Sequence, residues 1–377
     1  MPEFLEDKSE KKVQYLELIY DLIFVYLVSR NGELLHVMED GFIRPGAFLT
    51  YLMSTLAILL IWYESTLFIN RYGDGSVRVY LGLFVNMYLL YYMADGIRVN
   101  WGAYFYRYNA AWALILLNMA LQYFLLLRKK ETVAVWERRH CKMHMTILLA
   151  EAGIVLASLP VYRFTGIAFS PLAVVFGFAA PLLTRRTDAL IPVDFPHLSE
   201  RVMLYVVFTF GEMILGIAGY FSGGFSLSAV YYSLMAFFIV AGLFTGYGYF
   251  YEHLLDREAA TTGTGYMLLH VVMILALNNI TASMEFMQKT AVSARPKNIL
   301  LVASLLVYFL CLLLTQRYAV KQVAEKRMYG KVAVCFAVFC VLSALCYRQP
   351  QMSIALSVAF IYLQLFALHR GGKDKTP

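Results

Sequence analysis

The stretch VQYLELIYDLIFVYLVSR, Val13–Arg30, decides how the chain is read. It has the length and apolar character of a helix that crosses a bilayer, which needs about 20 residues. Yet Glu17 and Asp21 lie within it. Four residues apart, they share one helix face and are separated by about 6 Å along the axis. A charge within a membrane span is costly and usually faces a bundle interior or a wet cavity.

Apolar blocks of this kind recur along the whole chain. Of 377 residues, 60% are hydrophobic and 15% charged, against about 25% charged in a soluble domain. The blocks predict twelve spans, near residues 14–31, 46–69, 77–97, 105–127, 141–162, 165–184, 200–221, 228–251, 264–286, 298–316, 331–347 and 351–369. The expected fold class is all-α, a polytopic integral membrane bundle of about 12 transmembrane helices. The opening residues MPEFLEDKSEKK are charged, and no small-residue cleavage site follows the first span, so that span is expected to stay in the mature protein. The five cysteines show no metal spacing and read as small core residues. The net charge of +7 fits loops facing anionic lipid rather than nucleic acid.

Orientation follows from the loops. Most of the 32 Lys and Arg fall in alternate loops on the side of the N-terminus. The richest are RKKETVAVWERRHCK (128–142) and RYAVKQVAEKRMYGK (317–331). This bias predicts both termini in the cytoplasm. Twelve spans also invite a search for halves. LELIYDLIFVYLVSR from Leu16 and LSERVMLYVVFTFGE from Leu198 both open on an acid, Glu17 or Glu200, and run into an apolar span. The second and eighth spans both close on aromatics, then Glu64 or Glu252, then Arg71 or Arg257. Two parallel six-helix repeats are expected, 14–186 and 187–369, between cytoplasmic tails 1–13 and 370–377.

Three segments carry a resemblance. LELIYDLIFVYLVSRNGELLH (Leu16–His36), HLSERVMLYVVFTFGEMILGI (His197–Ile217) and IWYESTLFINR (Ile61–Arg71) are similar to the signature helices of the bacterial low-temperature-requirement A (LtrA) family. Val202-Met203 and Met213 depart mildly from that pattern. The resemblance implies a multi-pass protein of the bacterial cytoplasmic (inner) membrane. It implies no biochemical activity, which must be argued from the residues.

Polar groups inside the spans are the functional candidates. Glu151 is near the middle of the fifth span, in MTILLAEAGIVLASL. Glu212 lies about 18 Å deeper along the seventh span than Glu200. Carboxyls and imidazoles at several depths are what a proton or cation path needs, because each can hold a charge or a proton. The expected path is lined by Asp21, Glu151 and Glu212, with Glu17, Glu200 and His197 at the cytoplasmic mouth. Arg201 and His270 are further candidates. The bland alternative is packing: Asp21 pairs with an arginine, Glu200 and Arg201 are a helix cap and a snorkelling cation, His270 is a satisfied core histidine, and Asn278 and Asn279 are interhelical glue.

No nucleotide-binding loop, metal constellation or nucleophile elbow is legible. The chain is therefore expected to be no enzyme, with no catalytic residue, cofactor or metal. Its expected partners are membrane lipids and a proton, cation or small solute, with no nucleic acid; a homo-oligomer is allowed. The rival readings are a lipid-handling protein, with an acidic pocket near Glu17, Glu200 and His197 open to headgroups, and a structural membrane protein.

Overall fold

The computed structural model describes residues 12–95, 101–129, 134–320 and 326–373. Most of the N-terminal tail, half of the C-terminal one, residues 96–100 and parts of the two basic loops fall outside these. Twelve α-helices follow in order: α1 Tyr15–Gly32, α2 Pro45–Tyr72, α3 Val77–Asp95, α4 Trp101–Lys129, α5 Val135–Thr165, α6 Pro171–Asp188, α7 Phe195–Ile217, α8 Leu227–Tyr249, α9 Thr264–Gln288, α10 Ala294–Thr315, α11 Lys326–Cys346 and α12 Pro350–Lys373. Among the described residues, nine are long and apolar enough to cross a membrane. The other three are α1, α6 and α11. Charge explains the first two: α1 carries Glu17, Asp21 and Arg30, and α6 ends on Arg185, Arg186 and Asp188.

Helix α2 is the hub. Of its apolar stretch, 83% is buried inside the protein, so it is a core helix rather than a lipid-facing one. It packs on α1, α6, α7 and α9. Helix α1 packs on α2, α3 and α7, and α7 on α8 and α9. Outside this centre α3 pairs with α4, α4 with α5, α5 with α6, α9 with α10, α8 with α12, and α11 with α12.

Helix α7 starts earlier than its apolar run predicts. Asp194 is the N-cap and its carboxylate accepts from the His197 N–H at 3.1 Å, with Pro196 in the first turn. Glu200 is therefore a full turn inside the helix and is not its cap. At the far end of α1 a small hairpin, Met38–Glu39 with Phe42–Ile43, was not legible as strand. Asp40 and Gly41 both take positive φ, 49° and 79°, the Asp-Gly signature of a type I′ turn. The Gly41 carbonyl accepts from the Ser293 N–H at 2.7 Å, and a Cβ on Gly41 would lie 2.6 Å from Ser293 Oγ. Gly41→Val meets both a backbone and a steric obstacle. It is expected to lower the thermal unfolding temperature of the purified protein, by a loss of about 1–3 kcal/mol. An unchanged melting curve would mean that the hairpin contact does not contribute.

Candidate functional site

Two buried polar clusters meet α2 from opposite sides. The first joins α1, α2 and α7. Arg201 is fully buried. Its Nε donates to Asp21 Oδ2 at 2.9 Å and its Nη2 to Asp21 Oδ1 at 2.8 Å, the two-pronged geometry that a guanidinium makes with a carboxylate. Its Nη1 donates to Glu17 Oε2 at 3.0 Å. One turn of α1 thus brings both acids to one arginine. The Trp62 indole donates to Asp21 Oδ1 at 3.1 Å and its ring lies 4.4 Å from that of Tyr205. His197 completes the set. Asn70 Nδ2 lies 3.0 Å from His197 Nδ1, and Nε2 lies 3.4 Å from Glu17 Oε1. An amide can only donate to that ring nitrogen, and a carboxylate only accept, so the bonding selects the Nε2–H tautomer. Asn70 also closes two bonds with the Asp194 backbone, each 2.9 Å.

The second cluster joins α2, α5 and α6. His140, His144 and Glu151 lie on the buried stripe of α5. His140 Nε2 and His144 Nε2 both reach Asp188 Oδ1, at 2.9 and 3.2 Å. Thr184 donates to Asp188 Oδ2 at 2.6 Å, and Tyr72 Oη is 2.9 Å from His140 Nδ1. On the other side of His144, Nδ1 faces Glu64 Oε2 at 3.7 Å. Arg71 lies 3.5 Å from Asp188 Oδ1 and donates to the carbonyls of Ile191 and Thr262, both at 3.1 Å. Glu151 is fully buried and neither carboxyl oxygen has a hydrogen-bond partner among the described residues. It sits against Leu60 of α2 and Gly177 of α6, where a Cβ would come 2.8 Å from its Oε1.

The predicted site residues divide between these clusters. Asp21, Glu17, His197 and Arg201 come together as one bonded set. Glu151 belongs to the second cluster. Glu212 is half-buried on α7 and accepts from Ser29 Oγ at 3.1 Å. Asp21, Glu151 and Glu212 share no hydrogen-bond or ion-pair partner among the described residues. Glu200 is half-buried and has no ion pair among the described residues. His270 is a satisfied core histidine: Nδ1 donates to the Tyr266 carbonyl at 2.8 Å, and Nε2 is 3.1 Å from the Tyr247 hydroxyl. The predicted acidic headgroup pocket is not formed at Glu17 and His197, which are buried in the ion set. His140, His144 and Asp188 were missed. The spacing of HCKMH (140–144) puts both histidines on one helix face and was the available signal; Asp188 gave none, being 44 residues further on.

Helices of this length and apolarity, packed around buried ion sets, define a multi-pass membrane protein of the helical-bundle class. The model of the family described as bacterial low temperature requirement A protein (LtrA) matches residues 12–363, nearly the whole chain, and the protein belongs to that family. A search of curated proteins returns no match.

Proposed function

We propose that the protein is a non-enzymatic transporter or channel that moves protons, or a small cation, through the α2–α5–α6 cluster. The observation that carries this reading is Glu151: a buried carboxyl with no hydrogen-bond partner among the described residues, within electrostatic range of Glu64. Glu64 in turn faces His144, and His144 reaches Asp188 and His140. That is a run of proton-holding groups through the interior, whereas Asp21 is held by three donor atoms and has little freedom to exchange. Maintaining an unpartnered acid in a membrane helix is costly, and such groups mark ion paths by default.

The reading places the protein in the bacterial inner membrane with twelve transmembrane helices, in two parallel repeats with both termini cytoplasmic. Packing supports the repeat. The neighbours α1–α2, α1–α3, α3–α4, α5–α6 and α2–α6 have counterparts in α7–α8, α7–α9, α9–α10, α11–α12 and α8–α12. Contacts also support alternation. Arg71 at the end of α2 meets the loops before α7 and α9, and the segment after α8 pairs with that after α10, so four predicted cytoplasmic segments gather at one end.

The test is proton and cation flux in proteoliposomes. Glu151→Gln is expected to reduce proton flux by roughly a hundredfold, the low end of what a positioned proton carrier contributes. Exposed Glu252→Gln is expected to leave it unchanged. Absence of flux in the wild type, across several cations and pH gradients, would overturn the reading. A second reading, lipid handling, is favoured by one feature: a cavity of about 790 Å³ between α5 and α6, where Arg139, Arg185 and Arg186 share the lining with Trp136, Leu182 and Leu183. An anionic headgroup over apolar walls fits that lining.

A further inference from the structure

We propose that His140, His144 and Asp188 form a binding site for one divalent transition-metal ion, with zinc the best match. An ion bound here would occupy the His140, His144 and Asp188 end of the proposed proton run, so the two readings are tested separately. One ligand atom from each of the three residues lies within 4.8 Å of the other two, and all three residues are buried. Neighbouring donors around a tetrahedral zinc, each about 2.0–2.1 Å from it, stand roughly 3.4 Å apart. The imidazole-to-carboxylate separations here are 2.9 and 3.2 Å. Two histidines four apart on one helix, with an acid from a second helix, is a ligand pattern that recurs in zinc sites.

The surroundings strengthen the case. Metal-binding groups are oriented by a partner on their far atom. Two of the three have one at hydrogen-bond distance, Tyr72 Oη on His140 Nδ1 at 2.9 Å and Thr184 Oγ1 on Asp188 Oδ2 at 2.6 Å, while the Glu64 carboxylate faces His144 Nδ1 at 3.7 Å. Charge fits as well. Glu64, Glu151 and Asp188 are three buried carboxyls, and Arg71 is set beside Asp188. Glu64 and Asp188 both face His144, so the pair favours a cation between them. Arg71, 3.5 Å from the same Asp188 oxygen, opposes the ion, and Glu64 on the other side of His144 offsets that repulsion. Two nitrogen ligands favour zinc, cobalt or nickel over magnesium or calcium, which prefer oxygen.

The experiment uses the full chain in detergent or nanodiscs, with any affinity tag removed, stripped by a chelator and then offered Zn²⁺ alone. After gel filtration, elemental analysis is expected to find about one zinc per chain, and none of the Mg²⁺ or Ca²⁺ offered in parallel. His144→Ala is expected to weaken zinc binding by about a hundredfold or more, since even outer partners of metal ligands contribute 10–100-fold. His36→Asn, on a histidine beside Glu285 and far along the chain from this cluster, is expected to bind as wild type does. The wild type itself gives a second readout. Loaded with Co²⁺, it is expected to show the visible absorption of a low-symmetry nitrogen–oxygen site, whatever the folding of the variants. A wild type that retains no zinc and shows no Co²⁺ spectrum overturns the proposal. So does zinc retained equally by folded His144→Ala. Either result would make the cluster a hydrogen-bonded network in which His144 bridges Glu64 and Asp188 directly.

Discussion

Arg201→Met is expected to lower stability by about 3–5 kcal/mol, the cost of breaking a buried ion pair by removing one partner. The guanidinium supplies all three charge-assisted donors to Asp21 and Glu17. Without it, two carboxyls one helical turn apart remain in the interior, with the Trp62 indole on one and His197 on the other. The expected result is a large drop in unfolding temperature, or aggregation during purification. Arg201→Lys should recover little, because a single ammonium cannot bridge both carboxylates with fixed geometry. Removing the charges together is the stronger test. Arg201→Met combined with Glu17→Gln and Asp21→Asn is expected to unfold closer to wild type than Arg201→Met alone, since no uncompensated charge is left. Thermal unfolding in nanodiscs measures both. A single variant as stable as wild type would remove this ion set from the account of what holds α1, α2 and α7 together.

Glu151→Met is expected to move stability the other way. The two side chains have similar volumes, so the methionine can occupy the space between Leu60 and Gly177 without a cavity. It removes two buried oxygens that have no hydrogen-bond partner among the described residues. A buried polar group in that state costs about 1–3 kcal/mol. The variant is thus expected to melt higher by a similar amount and to lose the proton flux. A gain in stability with a loss of activity is the mark of a group retained for function. A large destabilisation would instead mean that Glu151 has a structural partner.

These two residues show how far the candidate site was legible. Glu17, Asp21, His197 and Arg201 stood out because charge is scarce in apolar blocks. Their union did not, since 180 residues separate Asp21 from Arg201. Glu64 looked like a residue of the helix boundary, because α2 is longer than its apolar run and carries the acid inward against His144. The second and eighth spans looked alike around Glu64 and Glu252, yet Glu64 is buried and Glu252 exposed on a π-turn after α8. A repeated sequence pattern does not force equal burial, because burial depends on the neighbouring helices.

The sequence by itself determined the class, the helix order and the family. Those rest on local facts: runs of apolar residues long enough to span hydrocarbon, whose backbone must bond within each helix, and signature residues read in order. Only the tertiary structure decided which acid pairs with which base. It put Asp21 under an arginine from α7, left Glu151 without a hydrogen-bond partner among the described residues, and brought Asp188 to two histidines of α5. Such choices are made across helices, where a difference of an ångström separates a bonded carboxylate from an unbonded one, and no spacing along the chain records that distance.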